Sequence, residues 1–502
     1  MELIGAFCLV LISILTLVYV YFKNAFNYWK SRNIPCDEPT IPYGTFKGFG
    51  KTIHPSHFIK NVYDKYKPTG EKVCGLYFFA RPVAVLLDLD IVKHVMIKDF
   101  ANFNERGLYY NEEDDPLSAH LFSLDGDKWK KLRAKLTPTF TSGKMKFMFP
   151  TVVEVGDRFR NCLFDVVKGN NELEIKELLA RFTTDVIGTC AFGIECNSLK
   201  DPNAEFRKYG RESFAKPRHS THFLELINGF RSLAKKLHVK IVRHDVSEFF
   251  MKVVRDTVEY REKNDVNRND FMDLLIKLKN QETTDKDKVI TLNEVAAQAF
   301  VFFLAGFETS STTLTFCLYE LALNPEIQTR TRRVIREALE KHNGQFTYEA
   351  MMDMPYVDQV LEETLRKYPP VANLNRRTKN DYRVPGSKIV LEKGLSIIIP
   401  AYAIQHDPEI YPSPEQFNPD RFDAEEAKKR DAMAWLPFGD GPRNCIGLRF
   451  GMMQARIGLV TLLNNFEFAL GSKTPVPLIF ETSQFILSPV GGVYLKLTPI
   501  KS

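Results

Sequence analysis

Near the C-terminus the chain reads Pro437-Phe438-Gly439-Asp440-Gly441-Pro442-Arg443-Asn444-Cys445-Ile446-Gly447. Its glycines and prolines predict a tight loop, and the helical periodicity from Ile446 to Leu463 places Cys445 just before a helix N-terminus. The partial positive charge of a helix start lowers a thiol pKa and favours thiolate. A thiolate flanked by Arg443 is suited to axial ligation of haem iron, where it pushes electron density toward O–O cleavage. The alternative is a structural cysteine in a glycine-rich turn. A second group, Ala305-Gly306-Phe307-Glu308-Thr309-Ser310, interrupts an apolar run. An acid beside a hydroxyl is costly there unless it is used or paired.

The elements that must hold these groups follow from the surrounding pattern. Thr291 and Glu294 form a capping box, and Asn324-Pro325 supplies a stop. The helix between them should run roughly 48 Å at 1.5 Å per residue. Its apolar stretch Val295–Phe307, broken by Gln298, is too short for a membrane span and suits a buried core helix. Ala305 and Thr309, four apart, share a face, and Gly306 admits a close neighbour. Helical spacing also predicts Lys144–Val167, Leu173–Phe192, His244–Lys263, Asp270–Lys279, Asn324–Lys341 and Met354–Lys367. A strand hairpin is expected at Lys72–Phe79 and Val83–Leu87, with further strands at Lys388–Glu392, Ser396–Pro400 and within Gln484–Leu497. The fold class is therefore mainly α with small β-sheets. The polar linkers Lys263–Asn269 and Gln281–Lys288 are too short to separate domains, so one large core is expected.

Leu3 to Phe22 carries no charge over 20 residues, the length of a membrane-spanning helix. Lys23, Lys30 and Arg32 follow it and Glu2 precedes it, which places the C-terminal bulk on the cytosolic side. The expected organisation is a transmembrane anchor at 1–22, a proline-containing semi-rigid linker at 23–50 (Pro35, Pro39, Pro42) and a catalytic domain at 51–502. The 502 residues carry 68 basic and 62 acidic side chains, a net +6 too dilute for a nucleic-acid binder. The eight cysteines contain no C-x-x-C pair, which removes support for zinc-finger, thioredoxin and c-type haem readings. The pairs His54/His57 and His219/His222 lack nearby acidic or cysteine partners and read as ordinary surface or core histidines.

Phe438, Gly441, Arg443, Cys445 and Gly447 meet the signature F-x-x-G-x-R-x-C-x-G, and the sequence here resembles the cytochrome P450 superfamily. Five fixed positions would recur by chance in about one of ten thousand such chains. Three further family motifs follow in the family's order: Ala305 to Ser310, the E-x-x-R of Glu363 to Arg366, and the P-x-R-F of Pro419 to Phe422. The wording of Phe438–Met453 and Val253–Lys279 is most similar to insect microsomal family 6 enzymes.

The resemblance implies a cytochrome P450 fold behind a single transmembrane helix, with haem b held by Cys445 and Phe438 packed beside it. It implies that Arg443, Trp129, Arg133 and Arg376 face the haem propionates, Arg377 being the alternative to Arg376. Ala305 and Gly447 lie against the haem. It gives Thr309 and Glu308 a proton-delivery role in O–O bond cleavage, with glutamate where many members have aspartate. Glu363, Arg366 and Arg421 form a structural network. The pocket is expected to include Phe122, Phe303, Val371 and Ile486 and to take lipophilic molecules such as plant toxins or insecticides. No nucleotide-binding fingerprint follows a strand, so electrons must come from elsewhere. The resemblance implies O2 as co-substrate and electrons from NADPH through NADPH–cytochrome P450 reductase, with cytochrome b5 as a further partner, at the endoplasmic reticulum membrane. The basic segment Lys128, Lys130, Lys131, Arg133, Lys135, Lys144 and Lys146 resembles the docking face for such a reductase. The rival readings are a steroid, hormone or fatty-acid hydroxylase, a haem-thiolate isomerase that uses no O2, and a non-catalytic haem- or ligand-binding protein.

Overall fold

The computed structural model describes residues 2–281 and 289–500, so most of the polar linker expected at 281–288 lies outside the described residues. The helices used below are α1 (Glu2–Ala25), α2 (Gly126–Leu136), α3 (Ser142–Gly169), α4 (Ile175–Ile187), α5 (Glu205–Ala215), α6 (Thr221–Gly229), α7 (Arg231–Lys236), α8 (His244–Lys263), α9 (Leu292–Leu323), α10 (Pro325–Lys341), α11 (Pro355–Lys367) and α12 (Leu448–Asn465). The strands are β1 (Val73–Phe78), β2 (Arg81–Leu86), β3 (Glu172–Glu174), β4 (Leu374–Arg377), β5 (Ser396–Ile399), β6 (Phe466–Leu470) and β7 (Tyr494–Pro499). The chain is mostly helical with small sheets, as expected.

Helix α9 starts where its cap requires. Thr291 Oγ1 accepts from the Glu294 N–H at 3.2 Å, and the Glu294 carboxylate accepts from the Thr291 N–H at 2.7 Å. The helix runs 32 residues through the larger apolar core. Its buried Gln298 accepts from the Leu121 N–H at 2.9 Å, which ties the loop ahead of α2 to the core helix. At Gly306, a Cβ would stand 2.8 Å from Ile187 Cδ1, so the missing side chain lets α4 close on α9. The neighbour anticipated from the sequence is thus Ile187.

A second core surrounds the four-stranded sheet β1–β2–β5–β4. β1 and β2 form the expected hairpin, with Val73 opposite Leu86. β5 runs parallel to β2 and antiparallel to β4, with Arg376 opposite Ile397. A three-stranded sheet, β3–β7–β6, lies at the chain's end. There the expected strand region narrows to Tyr494–Pro499, because Pro489 and the left-handed Gly491 and Gly492 turn the chain first.

The segment expected as a linker is folded onto β1. Trp29 is 1% exposed and its indole N–H donates to the Leu76 carbonyl at 2.8 Å. Tyr77 Oη accepts from the Trp29 N–H and donates to the Phe26 carbonyl, both at 2.9 Å. The ring lies on Gly75, where any Cβ would collide with it. Phe46 is also buried, stacked on Phe58 at 5.2 Å. The reason is apolar area: proline stiffens this segment, but Trp29 and Phe46 gain more from burial than from remaining in water.

Candidate active site

The loop before α12 is drawn tight by its own backbone. The Cys445 N–H donates to the Phe438 carbonyl at 2.8 Å, the Asn444 N–H to Gly441 at 3.1 Å, and the Asp440 side chain accepts from the Gly441 N–H at 2.6 Å. This places Cys445 on the wall of a cavity of about 280 Å³. Trp129, Arg133, Ala305, Thr309, Val371, Phe438, Arg443 and Gly447 line the same cavity. The thiol departs from its sequence-based expectation: its pKa is raised, because burial outweighs the Gly447 N–H bond and the nearby charges of Arg133 and Arg106. A coordinated metal removes that proton outright.

Three arginines, Arg106, Arg133 and Arg443, line the cavity, and a fourth, Arg376, lies behind them near Arg443. Arg443 is buried with its guanidinium 4.6 Å from the Trp129 ring centre. Arg133 donates to the carbonyl and side-chain oxygen of Asn444 at 2.9 and 2.8 Å, steadying the residue before Cys445. Arg376 is 3% exposed and shifted down to about 10 by burial and by Arg443. Arg106 sits 4.2 Å over the Phe122 ring; burial and its neighbours Arg443 and Arg376 hold its pKa well below the ordinary value. Sequence reasoning missed Arg106, for a lone arginine in a loop carries no pattern. Arg377, the alternative to Arg376, instead donates from Nε to the Gly394 carbonyl at 3.0 Å.

These arginines fit a ligand bearing two carboxylates. Nε of both Arg376 and Arg443 is buried without a hydrogen-bond partner, and buried guanidinium groups are costly until an anion meets them. Beside them stands a thiol on an apolar wall. This combination suits haem, whose two propionates would meet the arginines and whose iron would meet the thiol.

On α9, Thr309 Oγ1 faces the cavity while donating to the Ala305 carbonyl at 2.6 Å. Glu308 is on another side of the helix: its carboxylate meets Lys176 Nζ at 2.9 Å, and Lys176 donates onward to Ser488 Oγ at 2.8 Å. Consecutive helical residues point about 100° apart, so the pair does not face the cavity together. The same geometry separates Phe302 from Phe303. Phe302 lines the cavity with Phe140 and Phe271, whereas Phe303 is fully buried against Phe206, Phe250 and Phe307 at ring distances of 5.4, 5.2 and 5.3 Å. Ile486 is buried elsewhere and is not among the lining residues. The i, i+3, i+4 spacing from Ala305 and Thr309 marks Val301 and Phe302, both of which line the cavity.

Behind the cysteine loop, Glu363 and Arg366 are fully buried and joined by two bonds, Nε–Oε2 at 2.7 Å and Nη2–Oε1 at 2.9 Å. Arg421 Nε is 3.4 Å from Glu363 Oε1. Arg366 continues to the Gln405 carbonyl at 2.8 Å, and the Gln405 side chain accepts from the Leu436 N–H at 2.8 Å. The network therefore ends one residue before Pro437, where the cysteine loop begins.

A thiol open to the cavity beside a carboxylate-seeking arginine cradle, with a helix presenting an inward threonine, places the molecule among haem-thiolate proteins. The chain belongs to the cytochrome P450 family, whose model matches residues 39–496. It is 48% identical over 501 residues to cytochrome P450 6a9 of Drosophila melanogaster, covering 98% of this chain and 99% of that protein. It is 49% identical over 497 residues to the fly's probable cytochrome P450 6a14, covering 96% and 97%. With cytochrome P450 6A1 of Musca domestica the identity is 46% over 503 residues, covering 99% of both. It is a cytochrome P450 monooxygenase, using thiolate-ligated haem, O2 and NADPH-derived electrons, with a redox partner and a small-molecule substrate.

Proposed function

We propose that this enzyme oxidises lipophilic foreign compounds at the endoplasmic reticulum membrane, with electrons from NADPH–cytochrome P450 reductase and with cytochrome b5 as an accessory donor. The observation that carries the reading is that Cys445 and Thr309 share one cavity whose wall, apart from its arginines and a few hydroxyls, is apolar, with Leu121, Phe122, Phe140, Phe302 and Val371. Such a lining selects by shape and hydrophobicity. Helix α1 is long and apolar enough to cross a bilayer.

Haem, when bound, supplies the iron at which O2 is activated, one oxygen atom going to the substrate and the other to water. Cys445 Sγ ligates that iron as thiolate, and Phe438 shields the sulfur from water. Arg443, Arg376, Arg133 and Arg106, with Trp129, orient the propionates. Thr309 Oγ1 holds a proton beside the reacting oxygen, while Glu308, paired with Lys176 Nζ at 2.9 Å on another side of α9, does not itself face that oxygen. Lys128, Lys130 and their neighbours receive the reductase. Lys128 is already paired with Glu112 at 2.8 Å, Lys146 with Glu349 at 2.6 Å, and Arg133 turns inward, so this positive face is smaller than the sequence cluster.

The test is turnover by the full chain in vesicles with reductase and NADPH, against plant toxins, insecticides, steroids and fatty acids. NADPH-dependent oxidation confined to the last two classes would overturn the foreign-compound reading, and conversion without NADPH or O2 would establish the isomerase. Cys445→Ala should abolish the thiolate-type spectrum of the reduced carbon monoxide complex. Thr309→Ala should keep haem while diverting NADPH consumption to hydrogen peroxide, with product formation falling about 100-fold.

A further inference from the structure

Asp125 ends the loop 105–125, whose Arg106, Leu121 and Phe122 line the cavity, and occupies the N-cap position of α2 with extended backbone, yet its side chain makes no bond to its own helix. Aspartate at that position ordinarily caps. Here its two oxygens are spent elsewhere, each on one backbone N–H and one guanidinium. Oδ1 accepts from the Arg106 N–H at 2.8 Å and Arg443 Nη1 at 3.2 Å. Oδ2 accepts from the Gly107 N–H at 3.2 Å and Arg231 Nη1 at 2.9 Å. The Asp125 side chain is 10% exposed.

The two arginines belong to different parts of the molecule. Arg443 is in the cysteine loop. Arg231 is the first residue of α7 and has one other acidic neighbour, Glu105, at 3.9 Å. Helices α6 and α7 rest on the same loop: Asn228 accepts from the Tyr109 N–H at 2.8 Å, and Tyr109 packs with Ile227 and Ala234. The segment after α7 is tied down by Asp115, which accepts from the Ile241 and Val242 N–H groups at 2.7 and 3.0 Å.

We propose that Asp125 is a positioning residue that couples the docking of α6–α7 to the hold of Arg443 on the haem carboxylates. The inference rests on Arg443 facing those carboxylates, as proposed above. Two backbone N–H groups fix the Asp125 carboxylate, so the arginines move and the acid does not. With Arg231 in place, the acid's charge is divided and Arg443 keeps attraction to spare for a second anion. When α7 lifts, the whole charge of Asp125 falls on Arg443 and competes with the haem for it. Coupling between two sites is reciprocal, so a firmly held haem also favours the docked cap.

The test uses the full-length holoprotein and two readouts other than turnover: the rate of haem transfer to excess apomyoglobin, and hydrogen exchange of residues 221–236 with and without haem. Arg231→Gln should speed haem transfer about fivefold or more, and Arg231→Lys should restore most of the loss. Asp125→Asn has no charge to redirect, so adding Arg231→Gln to it should change nothing further. In the wild type haem should slow exchange at 221–236, and in Asp125→Asn that difference should vanish. Haem transfer unchanged by Arg231→Gln, or exchange at 221–236 indifferent to haem in the wild type, overturns the coupling; so does a double variant whose effects multiply. Arg443→Ala separates the two readings: if it leaves haem transfer unchanged, the propionate assignment fails, and if it speeds transfer while Arg231→Gln does not, only the coupling fails.

Discussion

Two clusters of wholly or partly buried arginine adjoin the cysteine loop, and they differ in how far the protein itself completes them. Around Glu363, Arg366 donates to both carboxylate oxygens and to the carbonyls of Gln405 and Pro414, and Arg421 closes the far side. At and beside the cavity, Arg106, Arg133, Arg376 and Arg443 have, among the described residues, one ion-paired carboxylate, Asp125, which is shared with Arg231. The first cluster is nearly finished within the fold, only Arg421 Nε being left at a long contact; the second waits for anions from outside. The ratio of guanidinium to carboxylate, two to one around Glu363 and four to one beside the cavity, is what separates a structural ion pair from a binding site here.

The comparison can be broken most directly at its finished half. Glu363→Gln should lower the unfolding free energy by about 3–5 kcal/mol, because the Arg366 charge stays buried without its partner; urea unfolding should register this with and without haem. One residue away, Glu362 sharpens the contrast. Burial, and then the charge of Asp358, pushes its carboxyl up to about 7. A raised pKa means the folded state holds the proton more tightly. The stability it contributes is complete at pH below the ordinary glutamate value and is lost as pH rises through about 7, about 3 kcal/mol over the whole range. Glu362→Gln should flatten that part of the stability profile, measured as unfolding midpoints between about pH 5 and 8.

At the unfinished half the sign reverses. Arg376→Met should leave the haem-free protein melting at or above the wild-type temperature, since an uncompensated buried charge has gone, while haem dissociates about tenfold faster or more. A fall in both would mean that the cradle is structural after all. The smallest effect belongs to Arg421→Lys. Its Nε contact with Glu363 is long, and only its bonds to the Pro412 and Ser413 carbonyls are short. A loss of about 1 kcal/mol is expected in urea unfolding.

What could be read before the structure depended on whether a residue's role was set by near neighbours in sequence. The cysteine loop and the cap of α9 were legible because their partners lie within ten residues. Helix α8 begins and ends where its periodicity places it, at His244 and Lys263. Arg106 was not legible: its place depends on a loop returning to pack on Phe122 and below Arg443. Phe303 was assigned to the cavity and Phe302 overlooked, although the face shared by Ala305 and Thr309 distinguishes them. The pairing of Glu308 with Lys176, 132 residues earlier, joins segments with no local pattern in common. Trp29 likewise sits in a segment whose prolines resemble a free linker, and only the gap at Gly75 shows where it docks.

That docking makes the joint between α1 and the catalytic body a stiff one. An indole wedged on a strand, bonded through its ring and its backbone, transmits torque where a random coil would dissipate it. Were α1 to stand in lipid, as proposed above, the body would lean as the helix leans. Bilayer thickness, which helps to set that lean, then becomes a mechanical input to the attitude at which the cavity meets the membrane surface.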